Sequence, residues 1–308
     1  PPFNDSIKQF TLFGGEKHKN RLKEYLEECR RNDPSFPSWE SVTSNECFVD
    51  KYGFRYNKSN EYALIHYICQ QISIFYKSQP KLKEANLWET RLREWKKSLD
   101  PSSEVKSMIR SGILPKYRSE FWKLCIYRQV GDIKKSKGPN YYQFLCNLSN
   151  DLPRDIIKFD HQIFLDLFRT LPNNVKFCSK YSQGINQLQE VLRAFCLYNP
   201  NIGYCQGMNF IVGIALLFLD PEDAFWCLVA ITEKFFLAHY FDCGLVGAQS
   251  DQHCLKQLIE LKLPDLHYHL KKLDIDISTI TLNWFMALFF DALPFETMLR
   301  IWDCFLLE

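Results

Sequence analysis

Glycine is scarce, 12 in 308 residues, and few of the dipeptides that close β-hairpins occur, so a chain built mainly of hairpins is excluded. The twelve cysteines form no C-x-x-C pair and stand singly from Cys29 to Cys304, which excludes the disulfide framework of a small secreted domain and points to a reducing, cytosolic setting. His267 and His269 stand near His253 and Cys254, but at spacings unlike those of zinc sites, so no metal is expected. Neither charge dominates: 38 basic and 36 acidic residues leave a formal +2, and nothing overall marks a nucleic-acid binder. The longest apolar run, Phe210 to Leu219, is about half of the ~20 residues that cross a bilayer, so no transmembrane segment is expected. The opening PPFNDSIKQF has neither an initiator Met nor a basic-then-apolar leader, and with the abrupt FLLE at the end the chain reads as a piece of something longer.

What is present is apolar residues recurring every three and four positions, which predicts an all-α fold of helices joined by short turns, with no repeat of solenoid period. Residues 1–104 read as a smaller helical region of unknown role, with helices over Glu16 to Arg31, Glu61 to Lys77 and Leu82 to Leu99. A loop carrying Pro34, Pro37, Ser38, Ser41 and Ser44 separates the first two. Residues 105–308 read as the main domain. Asp100 or Ser102 can cap a helix running to Ser111, with Glu104 in its first turn, and Gly112 ends it. Pro115 suits the first position of the next helix, through Tyr127, which buries Phe121, Trp122 and Leu124. Trp226, Trp284 and Trp302 sit among apolar neighbours and are assigned to the core.

Two segments carry residues able to do chemistry. In Phe159 to Thr170, FDHQIFLDLFRT, a helix is expected with Ile163, Leu167 and Phe164 toward a core, and Asp166 three residues before Arg169 on one face, where a carboxylate can aim a guanidinium. Pro172 places Arg169 in or just past the last turn. Such an arginine is either a finger for an anionic partner or simply a partner for the helix's own terminal carbonyls, and these residues alone leave both readings open. In Asn199 to Asp220, NPNIGYCQGMNFIVGIALLFLD, a turn at Pro200, Asn201 and Gly203 meets a buried helix from Phe210 onward. Tyr204, Cys205 and Gln206 fall at the junction, where a glutamine with both donor and acceptor can orient a water. Cys205 is read as a small buried cysteine rather than a nucleophile, since no histidine is placed beside it.

IFLDLFRT, residues 163–170, resembles the arginine-finger motif of the TBC domains, which activate Rab-type small GTPases, and YCQ, residues 204–206, resembles their glutamine-finger motif. GILPKYRSEFW (112–122), EDAFWCLVAITE (222–233) and IWDCF (301–305) follow the family in order, so the resemblance covers about Val105 to Glu308. SDQHCLKQLIELKLPDLHYHL and ITLNWF are similar to the Armus-like branch, regulators of endosomal Rabs. Leu171 stands where a phenylalanine is usual, and the chain stops where the family continues into further helices. The resemblance implies a GTPase-activating protein, not itself an enzyme, that supplies Arg169 and Gln206 in trans, with Asp166, Thr170 and Tyr204 in support. It implies no cofactor of its own, GTP and Mg²⁺ being held by the Rab partner. A monomeric, cytoplasmic fragment recruited peripherally to membranes, endosomal ones included, is the corresponding expectation. A TBC-like scaffold that holds a Rab without accelerating hydrolysis is the alternative.

Overall fold

The computed structural model describes residues 16–32, 34, 38–40, 47–57, 82–98, 103–149 and 153–308. The Glu61 to Lys77 helix and the capping residues Asp100 and Ser102 lie outside them. The chain divides into two compact units, one of Pro1–Glu84 with Asn173–Cys178, the other of Ala85–Pro172 with Ser179–Glu308.

The first unit contains α1 (Glu16–Asn32), matching the expected first helix, and a small antiparallel hairpin of β1 (Cys47–Val49) and β2 (Arg55–Asn57). No strand was expected. The hairpin arises from its turn rather than from strand periodicity: Asp50 Oδ1 accepts the backbone N–H of Tyr52 at 2.9 Å and of Phe54 at 2.8 Å. The segment Asn173–Cys178 pairs with it, Arg55 N–H donating to Asn173 O at 2.7 Å and Val175 N–H to Gly53 O at 2.8 Å.

The second unit is helical, as the apolar spacing requires. Its helices are α2 (Leu82–Ser98, assigned here from Ala85 onward), α3 (Ser103–Ser111), α4 (Arg118–Lys137), α5 (Tyr141–Leu148), α6 (Arg154–Leu167), α7 (Gln183–Tyr198) and α8 (Met208–Phe218). They continue with α9 (Pro221–Ala230), α10 (Val246–Lys262), α11 (Pro264–Lys272), α12 (Ser278–Met286) and α13 (Phe295–Leu307). None of the described helices is long and apolar enough to cross a membrane.

Pro115 opens a 3₁₀ turn (Pro115–Tyr117) instead of the helix proper, and α4 runs on to Lys137, ten residues past the expected end at Tyr127. Gly138 stops it, in a backbone conformation (φ +92°) outside the helical region. Phe121 and Trp122 are fully buried, whereas Leu124 is only half-buried, one step off the apolar stripe.

At the centre lies α8, MNFIVGIALLF, apolar on all sides and therefore enclosed, packed against α6, α7 and α9. α9 starts with Pro221 at the first position and Glu222 and Asp223 in the first turn, where a missing N–H costs nothing and the helix dipole favours acids. Trp226 and Trp302 are buried as expected. Trp284 is not; it sits half-buried near the surface against Phe289, ring centroids 5.9 Å apart, because it falls outside the face of α12 that buries Thr281 and Met286.

The ends of this unit are joined by a buried ion pair. Arg118 at the start of α4 donates from Nε to Asp303 Oδ1 and from a terminal nitrogen to Oδ2, both at 3.1 Å, and Trp122 Nε1 adds a bond to Oδ1 at 2.8 Å. The Trp122 and Trp302 rings stack on each other at 5.4 Å, and the Arg118 guanidinium lies over the Phe218 ring at 5.8 Å. Burial pushes the Asp303 carboxyl above its ordinary value against the pull of Arg118 and Trp122. Removing one partner leaves an uncompensated buried charge, so Asp303→Ala should lower stability by about 3–5 kcal/mol in urea unfolding. The apolar pair Arg118→Met/Asp303→Leu should recover most of that loss, whereas a loss under 1 kcal/mol in Asp303→Ala would show that the pair carries little.

Candidate functional site

The site forms where the exit of α6 meets the entry of α8. One face of α6 is held inward by Ile156, Ile163 and Leu167. Asp160 receives a two-point contact from Arg193 of α7, at 2.6 and 2.9 Å, which fixes the roll of the helix. The helix stops at Leu167, which leaves Arg169 just past the last turn as Pro172 led one to expect; Arg169 N–H turns back to Asp166 O at 3.1 Å and Thr170 N–H to Leu167 O at 3.3 Å. Leu171 follows in the left-handed region (φ +49°) and is 1 % exposed. Strain of about 1–3 kcal/mol there is matched by about 1.5–3 kcal/mol from burying the leucine.

Two hydrogen-bonded ties join this turn to the entry of α8. Asp166, 3 % exposed, accepts the Tyr204 hydroxyl at 2.8 Å, and Gln162 reaches the same oxygen at 3.1 Å. Burial and that carboxylate push the Tyr204 hydroxyl well above the ordinary tyrosine range, so it remains a donor. The second tie runs through Thr170, whose hydroxyl donates to Asp166 O at 2.8 Å and accepts from Asn209 Nδ2 at 2.8 Å. Asn209 Oδ1 in turn accepts the Gly207 N–H at 3.1 Å. Gly207 has φ +110°, and a Cβ there would stand 2.6 Å from Met286 O. A Cβ on Gly213 would stand 2.8 Å from Thr170 Cγ2, so α8 approaches the turn only through a bare backbone.

These ties leave two side chains outside. The Arg169 side chain is 74 % exposed, and Gln206 is exposed at the lip of its turn. Asp166 and Arg169 approach only to 4.0 Å, beyond hydrogen-bonding reach, so the carboxylate's firm partners are Tyr204 and Gln162 rather than the guanidinium. Phe164 is exposed where a core contact was expected, since the inward stripe of α6 passes through Ile163 and Leu167. The Cys205 thiol is raised to about 11 by burial and bonds no histidine among the described residues, an environment for an inert cysteine. No group of three or more His, Cys, Asp or Glu residues able to hold a metal occurs among the described residues.

The model of the Rab-GTPase-TBC domain family matches residues 115–308. The chain belongs to that family. It is 45 % identical to TBC1 domain family member 2B of Mus musculus over 207 residues, 67 % of this chain and 21 % of that protein. It is 36 % identical to TBC1 domain family member 2A of Bos taurus over 294 residues, 93 % of this chain and 31 % of that protein. The chain thus spans a fifth to a third of the curated relatives it matches. Among solved structures it is similar to the Chlamydomonas flagellar RabGAP TBC domain, with a TM-score of 0.65 and 27 % identity over 84 % of this chain and 80 % of that one.

Within this TBC domain, Asp166, Thr170 and Tyr204 meet in one buried network, and Arg169 and Gln206 flank it. Sequence reasoning missed Asn209, Gly207 and Gly213. Asn209, a polar residue on the second position of an otherwise apolar helix, was the available signal.

Thr170→Val should cost about 1–3 kcal/mol by leaving the buried Asn209 amide unpaired, while the Asp166 carbonyl keeps the Arg169 N–H, and urea unfolding measures it. Values near zero would mean that the tie is dispensable. Alkylation of Cys205 by iodoacetamide at pH 8 should lag far behind the exposed Cys178, Cys243 and Cys254. Because the thiol titrates only near 11, its rate should climb with pH by about tenfold per unit through pH 9. A plateau below pH 8 in site-resolved mass spectrometry would contradict this environment.

Proposed function

We propose that this TBC domain accelerates GTP hydrolysis in a Rab-type small GTPase by inserting Arg169 and Gln206 into the partner's nucleotide site. The observation carrying the proposal is that a buried hydrogen-bonded network, Asp166 to Tyr204 and Thr170 to Asn209, fixes two turns while leaving one arginine and one glutamine exposed on them. Phosphoryl transfer to water needs charge stabilised on the oxygens of the γ-phosphoryl group and a water held in line with it. In this reading the partner in its GTP form holds the nucleotide and Mg²⁺, Arg169 supplies the positive fork, and Gln206 orients the water. Asp166, Tyr204 and Thr170 act at a distance from the nucleotide by holding the turns.

The matches to members 2A and 2B support placement in the Armus-like branch, and with it action on Rabs of endosomal trafficking by a protein recruited peripherally from the cytoplasm. The domain acts as a monomer in this reading and carries no cofactor.

The test is single-turnover phosphate release from a panel of GTP-loaded Rabs. An arginine finger is worth a factor of ~10³–10⁵, about 4–7 kcal/mol, so Arg169→Ala should abolish nearly all stimulation. Arg169→Lys should do almost as badly, because an ammonium lacks the planar fork. Gln206→Ala should also lose most of the acceleration with unfolding curves unchanged. Binding of a GTP-locked Rab without any acceleration by the wild-type chain would favour the scaffold instead.

A further inference from the structure

Helix α6 is apolar on two faces, and among the described residues only one of them meets a core. Inward lie Ile156, Ile163 and Leu167; outward, Ile157, Phe164, Leu165 and Phe168 remain 53, 52, 44 and 44 % exposed. Phe164, Leu165 and Phe168 lie together over the last turn, and Ile157 continues their face two turns upstream past the exposed His161, so they form a stripe that one polar residue interrupts rather than scattered surface hydrophobics. Phe164 and Phe168 meet edge to face with ring centroids 5.6 Å apart, which presents a preformed aromatic surface. That stripe ends at Phe168, the residue immediately before Arg169.

We propose that Phe164 and Phe168, with Leu165 and Ile157 behind them, are the apolar anchor by which this domain seats on the GTPase. The inference rests on the finger reading above and adds a binding surface to it. The choice of occupant follows from covalent continuity: a molecule that takes up the Arg169 guanidinium lies against the side chain one residue upstream. Its chemistry follows from the stripe itself. An exposed aromatic pair gains by leaving water only against an apolar patch, and its place one residue before Arg169 sets that patch beside the partner's phosphates. The partner surface is therefore apolar, next to the γ-phosphate, and belongs to the GTP-bound form. Aromatic anchors of this kind are the usual hot spots of interfaces.

The experiment uses the Rab that responds most in the panel, with single-turnover phosphate release followed as the concentration of this chain is raised. Phe164→Ser/Phe168→Ser should raise the half-saturating concentration by at least ~30-fold while the saturating rate stays within about threefold of wild type. Both residues are exposed, so unfolding curves should be unchanged, and Phe164→Leu/Phe168→Leu should recover much of the affinity. A half-saturating concentration within twofold of wild type, in a chain whose saturating rate still depends on Arg169, overturns the proposal and leaves the finger reading standing. A saturating rate indifferent to Arg169→Ala overturns both. Self-association of the wild-type chain, lost in the double variant with half-saturation unchanged, assigns the stripe to a second copy and likewise overturns the proposal.

Discussion

The buried carboxylate of Asp166 is the constraint on which the site depends. At 3 % exposure its oxygens need hydrogen-bonding partners, and the partners they take are Gln162 on its own helix and Tyr204 from another segment. Its backbone carbonyl simultaneously receives Thr170, which holds Asn209 and through it Gly207. One residue thus fixes the geometry of two turns that are 38 positions apart at the Asp166–Tyr204 contact. Each hydrogen bond contributes only about 1 kcal/mol net, but breaking any of them strands a buried group, so the network resists partial opening.

The surrounding helices supply the rigidity that this tie presumes. α8 is apolar all round and reaches the Thr170–Leu171 turn through Gly213, while Gly207 lies against the carbonyl of Met286 at the end of α12. The Arg118–Asp303 pair, with Trp122 bonded to the same carboxylate, joins the first turn of α4 to α13. Burial disfavours such a pair, and bonds from three donor nitrogens offset that cost.

Much of this was legible in the sequence, and for identifiable reasons. Periodicity gave the helical class, the helices that became α2, α3, α4, α6 and α8, and the core positions Phe121, Trp122, Ile163 and Leu167. The Asp50-centred hairpin was hidden because its strands are three residues each and its turn is made by one side chain. Periodicity also misassigned Phe164, because α6 carries two apolar stripes and spacing alone does not say which faces the core. Asp166 and Arg169 looked paired because three-residue spacing puts them on one face. The preference of Asp166 for Tyr204 depends on a contact between distant segments, which no local pattern encodes. The identity of the site residues came from resemblance; their mutual support came from the fold.

The chain belongs to the Rab-GTPase-TBC domain family, Arg169 and Gln206 stand exposed beside the buried network, and the role proposed for them is contact with a nucleotide on the partner. The most direct measurement is a crystal structure of this chain with a responsive Rab bound to GDP and aluminium fluoride, a mimic of the transferring phosphoryl group. The account predicts the Arg169 guanidinium and the Gln206 amide both within hydrogen-bonding distance of the fluoride ligands and the in-line water, on turns unchanged from those described above. A complex in which either side chain points away from the nucleotide would contradict it.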